Sequence, residues 1–477
     1  MKTSKFKIYQ VTISKHFILL ICFISFLGIE VFGQAGYSSA SYSMGKQRSD
    51  DAMLISPPEV YEEEFINYHR HDLPLPQYGE SVAMEMRFGN KKMNPLLTEA
   101  ILQIGFTTDR ITDYSEMTPL NLSLVIDKSG SMSGEKLAKT KEALRAFVKR
   151  LRTKDIVSIV VFDHNAQVLL APHKAENIDL IDQAIENIQI GGSTNLHDGI
   201  LTGYRQILAN YNVNSTNKVI VLTDAITNTG EMDPEIIIRN SSEYDAQKTI
   251  DFAMIGVGVD FNNQLSRQLS KSKKSQIHFI HNPADIVKVF IEEAESLLSP
   301  IARDVKLEIE YPKDLELDKM YGYSPIFNKN KISLELDNMN SGLTQVVLLK
   351  FRLKNFQNNG EIAVKTRLSY YDIRKKKFVE KEDTKYIKFT AESWEIADML
   401  KDNKVKKNYT IAFLASGLKE MAVLCEQKQF QKAKNIIDIT IGDVVKNYPD
   451  LEDEDIKRVF SILEKYQRLL GNALAQR

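Results

Sequence analysis

Cysteine is nearly absent: two in 477 residues, Cys22 and Cys425. Cys22 lies inside an N-terminal apolar run, so a chain processed after that run keeps one thiol and no internal disulfide, and packing must supply its stability. Tryptophan occurs once, at Trp394. Neither sign of charge is in excess: 62 Lys and Arg against 63 Asp and Glu give a formal charge of −1, without the basic surplus of a dedicated nucleic-acid binder. Beyond Phe32 no apolar run reaches membrane length; the best candidate, Thr410 to Leu424, carries Lys419 and Glu420. No internal repeat of fixed period is present. What remains, 43% hydrophobic and 26% charged residues, is the composition of a folded globular chain. The length suggests about three domains, each able to bury its own core.

Lys2, Lys5, Lys7 and Lys15 precede an apolar run from Phe17 to Phe32, followed by the small residues Gly33, Gln34, Ala35 and Gly36. This reads as an export signal over 1–33, cut after Gly33, with an uncleaved anchor as the alternative. The mature chain is expected at the cell surface, in the periplasm or in the medium. Residues 34–58, rich in Ser, Gly, Tyr and Gln, suggest a flexible leader, and Glu59 to Tyr68 a short helix, completing a segment 34–78. Alternation of apolar and polar residues over 79–89 and 98–108 predicts strands within 79–118.

From 119 to 300 the pattern changes. Leu120 to Ile126, Ile156 to Phe162, Lys218 to Thr223 and Ile250 to Val257 are apolar runs rich in Val and Ile, separated by amphipathic stretches such as Glu135 to Leu151. This predicts an α/β fold: a doubly wound, mostly parallel, Rossmann-like sheet covered on both faces. Over 301–390 the period returns to two, predicting antiparallel strands with one wet face. These and the strands of 79–118 would form a β-sandwich beside which the α/β domain is inserted. The charged stretch after Arg374 suits a solvated hairpin. From 391 to 477 helical periodicity predicts a hairpin or small bundle, with Trp394 anchoring it and Cys425 on an apolar face.

The informative segment is Asp127-Lys-Ser129-Gly-Ser131, directly after the first apolar strand and before the first helix. Sites in doubly wound sheets form beyond the carboxyl ends of the strands. Two more polar loops fall at such ends: Gly191 to Asn195 with Thr194, and Thr223 to Asn228 with Asp224. Asp127, Ser129, Ser131, Thr194 and Asp224 offer only oxygen. A hard cation, Mg²⁺ first with Mn²⁺ or Ca²⁺ as alternatives, suits such a set, whereas zinc and copper favour His and Cys. Hydroxyls and water leave a divalent ion short of charge and with an exchangeable position, which an acidic group of a partner can fill. Asn195 and Asp198 are candidates for supporting these ligands, although both also suit a helix start. Helix capping by Ser129, Ser131 and Thr194 is the bland alternative, but it does not require two aspartates at the same rim. The segment Gly130-Ser-Met-Ser-Gly134-Glu-Lys136-Leu137 is no phosphate-binding loop: the spacing is short and no Ser or Thr follows Lys136. His164, His173 and His197 show no metal-ligand spacing.

The five residues, in this order and in these elements, resemble the metal-ion-dependent adhesion site of von Willebrand factor type A domains over 119–300. The resemblance implies that Ser129, Ser131 and Thr194 bind the ion, with Asp127 and Asp224 bonded directly or through water. More weakly, Glu63 to Tyr68 followed by Asp72-Leu-Pro-Leu-Pro76 resembles a module preceding this domain in exported bacterial proteins, and the β-rich flanks resemble inter-α-trypsin inhibitor heavy chains. The leading expectation is a non-enzymatic, exported protein that captures an Asp or Glu of a protein ligand through the cation, without nucleic acid or a mature membrane span. A scaffold with a stabilising metal is the first alternative. A metal-assisted hydrolase, with His197 or Glu135 as base, is the second. No pattern bears on oligomeric state.

Overall fold

The computed structural model describes residues 40–111, 118–224, 227–245, 249–258, 268, 277–280, 283–288, 290–291, 299–354, 360–390, 400–447 and 451–475. The expected export signal 1–33, with Cys22, and the expected anchor Trp394 lie outside these residues. Among the described residues, no helix is long and apolar enough to cross a membrane.

The α/β unit is a six-stranded sheet in the order β6-β5-β4-β7-β8-β9. Its strands are β4 (Leu120–Asp127), β5 (Ile156–Phe162), β6 (Ala166–Lys174), β7 (Thr216–Thr223), β8 (Asp251–Val257) and β9 (Ile277–Ile280). All pairings are parallel except that of the edge strand β6, which runs antiparallel to β5. Strands β4 and β7 are buried at every position, as expected of parallel strands covered on both faces. Connecting helices are α3 (Glu135–Val148), α4 (Ile178–Glu186), α5 (Leu196–Ala209) and α6 (Pro234–Asp245). Helix α5 buries Leu196, Ile200, Tyr204 and Ile207 with Val125, Val219 and Val221 of the sheet. Leu124 and Ile126, also buried, point to the opposite face by strand alternation. Helix α6 begins at Asp233-Pro234, where Asp233 Oδ1 accepts the Glu235 N–H at 2.8 Å.

Two sheets flank this unit in sequence, antiparallel throughout except that β2 pairs parallel with β17. One has the order β1-β3-β15-β11; the other runs β12-β13-β10-β16-β17-β2, with β14 on β10. Strands β1 (Val82–Phe88), β2 (Lys92–Met93) and β3 (Glu99–Thr108) precede the α/β unit. After it come β10 (Pro300–Glu310), β11 (Leu315–Met320), β12 (Ile326–Asn328), β13 (Lys331–Leu336) and β14 (Met339–Asn340). Strands β15 (Thr344–Leu353), β16 (Gly360–Asp372) and β17 (Lys377–Phe389) complete the set. The pairing of β3 with β15 joins the two sides of the insertion, with Ile104 opposite Val347. Leu102, Ile104, Val347, Leu349 and Phe351 face the sandwich core, shared with Leu307, Leu368 and Ile387 of the second sheet.

The alternate residues of the first sheet do not face water as expected. Ile101, Val346 and Leu348 pack into a second core with helices α7 (Asn403–Glu426), α8 (Phe430–Asn447) and α9 (Glu454–Ala475). The helical bundle covers the face that a lone sandwich would leave wet. Cys425 is buried in this bundle and its thiol is free. The hairpin of β16 and β17 turns through exposed Arg374, Lys375 and Lys376.

The flexible leader expected over 34–58 is corrected from residue 40 on. Residues Ala40–Asp50 form helix α1, and Glu62–Asn67 form α2. Met44 is fully buried with residues of the α/β core, and Tyr42 stacks on Tyr68 with ring centroids 4.7 Å apart. The Ser41 N–H donates to Glu64 Oε2 at 2.8 Å. A few anchoring contacts, rather than an apolar stripe, hold this polar helix, which is why periodicity does not reveal it.

Candidate functional site

The chain leaves β4 for β5 on one side, and β7 lies on the other, so the sheet order reverses between β4 and β7. A crevice opens beyond the carboxyl ends of strands at such a point. Asp127 is the last residue of β4, and Asp224 directly follows β7. Both are fully buried, and Ser129 and Thr194 are almost so.

Hydrogen bonds stitch the three loops together. The Gly130 N–H donates to Gly192 O at 2.8 Å, and the Gly191 N–H to Lys128 O at 2.7 Å. These tie the segment after β4 to the loop that carries Thr194. That loop is tied to the one after β7 by Asn228: its Oδ1 accepts the Thr194 N–H at 2.8 Å, and its own N–H donates to Thr194 O at 3.1 Å. Within the first loop, Asp127 Oδ1 accepts the Ser129 N–H at 2.8 Å, and the Ser129 and Ser131 hydroxyls lie 3.1 Å apart. Gly134, with φ +74°, turns the chain into α3 in a conformation that suits glycine alone. The structure thus brings the loops of all five expected residues to one rim.

The carboxylates are held from below and from the side. Thr223 Oγ1 donates to Asp127 Oδ2 at 2.5 Å. Burial pushes the Asp127 carboxyl up to about 6, opposed by hydrogen bonds from Thr223 and Ser129; Asp224 adds a smaller upward push. Lys136 Nζ donates to Asp224 Oδ2 at 3.0 Å. The other oxygen, Asp224 Oδ1, is buried and has no hydrogen-bond partner among the described residues. A buried carboxylate oxygen in that state is costly, and a cation or its bound water would satisfy it. The donor set, two carboxylates and three hydroxyls, therefore fits a hard divalent ion. Among the described residues no cluster of three or more His, Cys, Asp or Glu is placed to hold a metal elsewhere.

The two candidate supporting residues engage other partners. Asn195 caps α5, its Oδ1 accepting the Asp198 N–H at 3.2 Å, and its Nδ2 donates to His164 O at 3.2 Å. Asp198 Oδ2 accepts the Ala166 N–H at 2.7 Å, fixing the start of β6. His197 pairs with Asn240, its Nε2 lying 3.1 Å from the amide nitrogen, and burial lowers its pKa. His164 lies against Asp163, which Lys128 also holds at 2.5 Å. Thr223, Asn228 and Lys136 join the site unannounced by the motif. Lys136 had a signal, an ammonium one residue into the helix that opens beside Asp127; Thr223 had only its place before Asp224.

Residues 121–290 match the family model of the von Willebrand factor type A domain. The chain is 26% identical over 285 residues to the uncharacterized protein YfbK of Escherichia coli, covering 57% of this chain and 48% of that one. It is 30% identical over 205 residues to human inter-alpha-trypsin inhibitor heavy chain H4, covering 41% and 22%. The chain thus spans about half or less of the length of these curated relatives. Among solved structures, a von Willebrand factor type A protein from Catenulispora acidiphila aligns with a TM-score of 0.54 at 15% identity, over 78% of this chain and 87% of that one, a likeness of fold.

Proposed function

We propose, from the premise that residues 121–290 form a von Willebrand factor type A domain, that this chain is a non-enzymatic, exported protein-binding module. In this reading Asp127, Ser129, Ser131, Thr194 and Asp224 hold a divalent cation, Mg²⁺ in the first instance. The cation supplies an open position and positive charge that an Asp or Glu of a protein ligand fills. The observation that carries the reading is the buried, unpartnered Asp224 Oδ1 at the switch point of the sheet, in loops tied to the Asp127, Ser129 and Thr194 segments. The histidines near the rim support binding over hydrolysis: His197 pairs with Asn240 and His164 with Asp163, not with a serine hydroxyl.

Mg²⁺ or Mn²⁺ binding by calorimetry, with partner capture in Mg²⁺ and in chelator, tests this. Wild type should bind the ion and retain a partner only when loaded. Asp127→Ala should lose both while its circular dichroism is unchanged, and capture undiminished in that variant would remove the proposal. The complete burial of Asp127 and Asp224 favours a second, compatible role, stabilisation by the ion. A melting temperature that rises with Mg²⁺ without any capture would leave that role alone.

A further inference from the structure

We propose that Lys136 sets the charge of this site: it weakens the hold on the cation and strengthens the loaded site's attraction for an acidic ligand. The inference rests on the metal reading above and adds a residue that reading does not use. Lys136 is the second residue of α3, and its ammonium reaches Asp224 Oδ2 at 3.0 Å. Its side chain is only about one-fifth exposed, so solvent screens the charge incompletely. Its stem runs past Gly258 at the end of β8, where a Cβ would lie 2.9 Å from Lys136 Cε. Gly258 has φ +87°, so the backbone there both requires glycine and leaves the channel for the stem. Lys128, the other cation of the loop, is committed to Asp163.

The charge arithmetic follows from these pairings. Asp127 and Asp224 bring two negative charges and Lys136 returns one positive charge. A divalent cation then leaves the site at +1; without Lys136 it would be neutral. Within a few ångströms and in partly buried surroundings, one unit of charge shifts an ion's affinity by tenfold or more. The same unit draws a carboxylate toward the loaded site. The hydrogen bond occupies only one oxygen of Asp224, so Lys136 lowers the charge of that ligand without displacing it from the ion.

Mn²⁺ titration followed by electron paramagnetic resonance, and acetate titration of the loaded protein followed by water proton relaxation, test this on the full chain. Lys136→Met keeps the length and removes the charge. It should bind Mn²⁺ about tenfold more tightly and acetate about tenfold more weakly. Lys136→Arg keeps the charge and should stay within about twofold of wild type in both, and melting curves check that both variants fold. Mn²⁺ affinity unchanged or reduced in Lys136→Met, or acetate affinity unchanged, would overturn the inference and leave Lys136 a residue that only positions Asp224. A wild type that binds no Mn²⁺ would overturn the metal reading and this inference together, whereas normal binding that ignores Lys136→Met overturns this inference alone.

Discussion

The hydroxyl of Thr223, the last residue of β7, donates to Asp127 Oδ2, the last residue of the neighbouring strand β4, at 2.5 Å. The two strand ends that form the switch point are thus joined through the carboxylate that the candidate site needs. The bond fixes the orientation of Asp127 and leaves Oδ1 to the Ser129 N–H. Thr223→Val keeps the branched shape and removes the donor. A buried carboxylate oxygen loses its partner, at a cost of about 1–3 kcal/mol. Urea unfolding should show that loss. Mn²⁺ affinity should fall by about one order of magnitude as the carboxylate loses its fixed orientation. A variant of wild-type affinity would mean that Thr223 serves the fold alone.

Helix α5 depends on close approach to the sheet. A Cβ on Gly203 would lie 2.5 Å from Val125 Cγ2 and 3.2 Å from Val219 Cγ1. The two contacts are with the strands that lead into the candidate carboxylates, β4 ending at Asp127 and β7 ending just before Asp224. Gly203→Ala should therefore push α5 outward and destabilise the domain by about 1–3 kcal/mol. Because Thr194 lies two residues before α5, metal affinity should fall in parallel. Gly192→Ala is the control: beyond its chain neighbours, no atom of the described residues lies within 4 Å of its Cβ, so its melting temperature should match wild type. Equal melting of all three proteins would contradict the packing argument.

How much of this was legible in the chain depends on how local each signal was. Strands β4, β5, β7 and β8 are continuous apolar runs, and the parallel sheet followed from them. The candidate site was legible because five residues of one chemistry fall at loops that the fold itself brings together. The partners of Lys136 and Thr223 were not, because neither could be chosen without the register of β4 on β7 and the direction of α3. Helix α1 was illegible for a different reason: its polar sequence is ordered by Met44, Gly45 and Tyr42 against distant elements. The dry outer face of the first sheet was illegible for the same reason, since strand alternation cannot show that a bundle 50 residues later will cover it.

Asn67 shows how far apart such partners lie. Its Oδ1 accepts the Val346 N–H at 2.7 Å, and its Nδ2 donates to Val346 O at 3.1 Å. The side chain satisfies β15 as a neighbouring strand would, and it also receives His71 Nε2 at 2.9 Å. Asn67→Ala strips the partners from a buried peptide group and should cost about 2–4 kcal/mol in chemical denaturation. Loss of less than about 0.5 kcal/mol would show that water replaces the amide without penalty.

His69 and His71, beside Asn67, make the same region sensitive to acid. Burial lowers the His69 pKa to about 4, with Lys407 pushing the same way and Asp455 and Asp453 opposing. Burial, and then the neighbouring His69, hold His71 well below its usual value. The folded chain therefore resists protons that the unfolded chain accepts near pH 6.5. Between those values the unfolded state binds more protons, so stability is complete above about pH 6.5 and falls as pH drops toward 4. For His69 alone the loss amounts to about 3 kcal/mol. His69→Gln removes one of the two titrations. Urea midpoints at pH 7.5, 5.5 and 4.5 should fall steeply for wild type and less steeply for the variant. Carboxylates paired in both proteins contribute equally to the two curves, so the difference between slopes reports the histidine. Parallel curves would mean that this histidine takes up protons equally in the folded and unfolded chain, and it would then not be a source of acid lability.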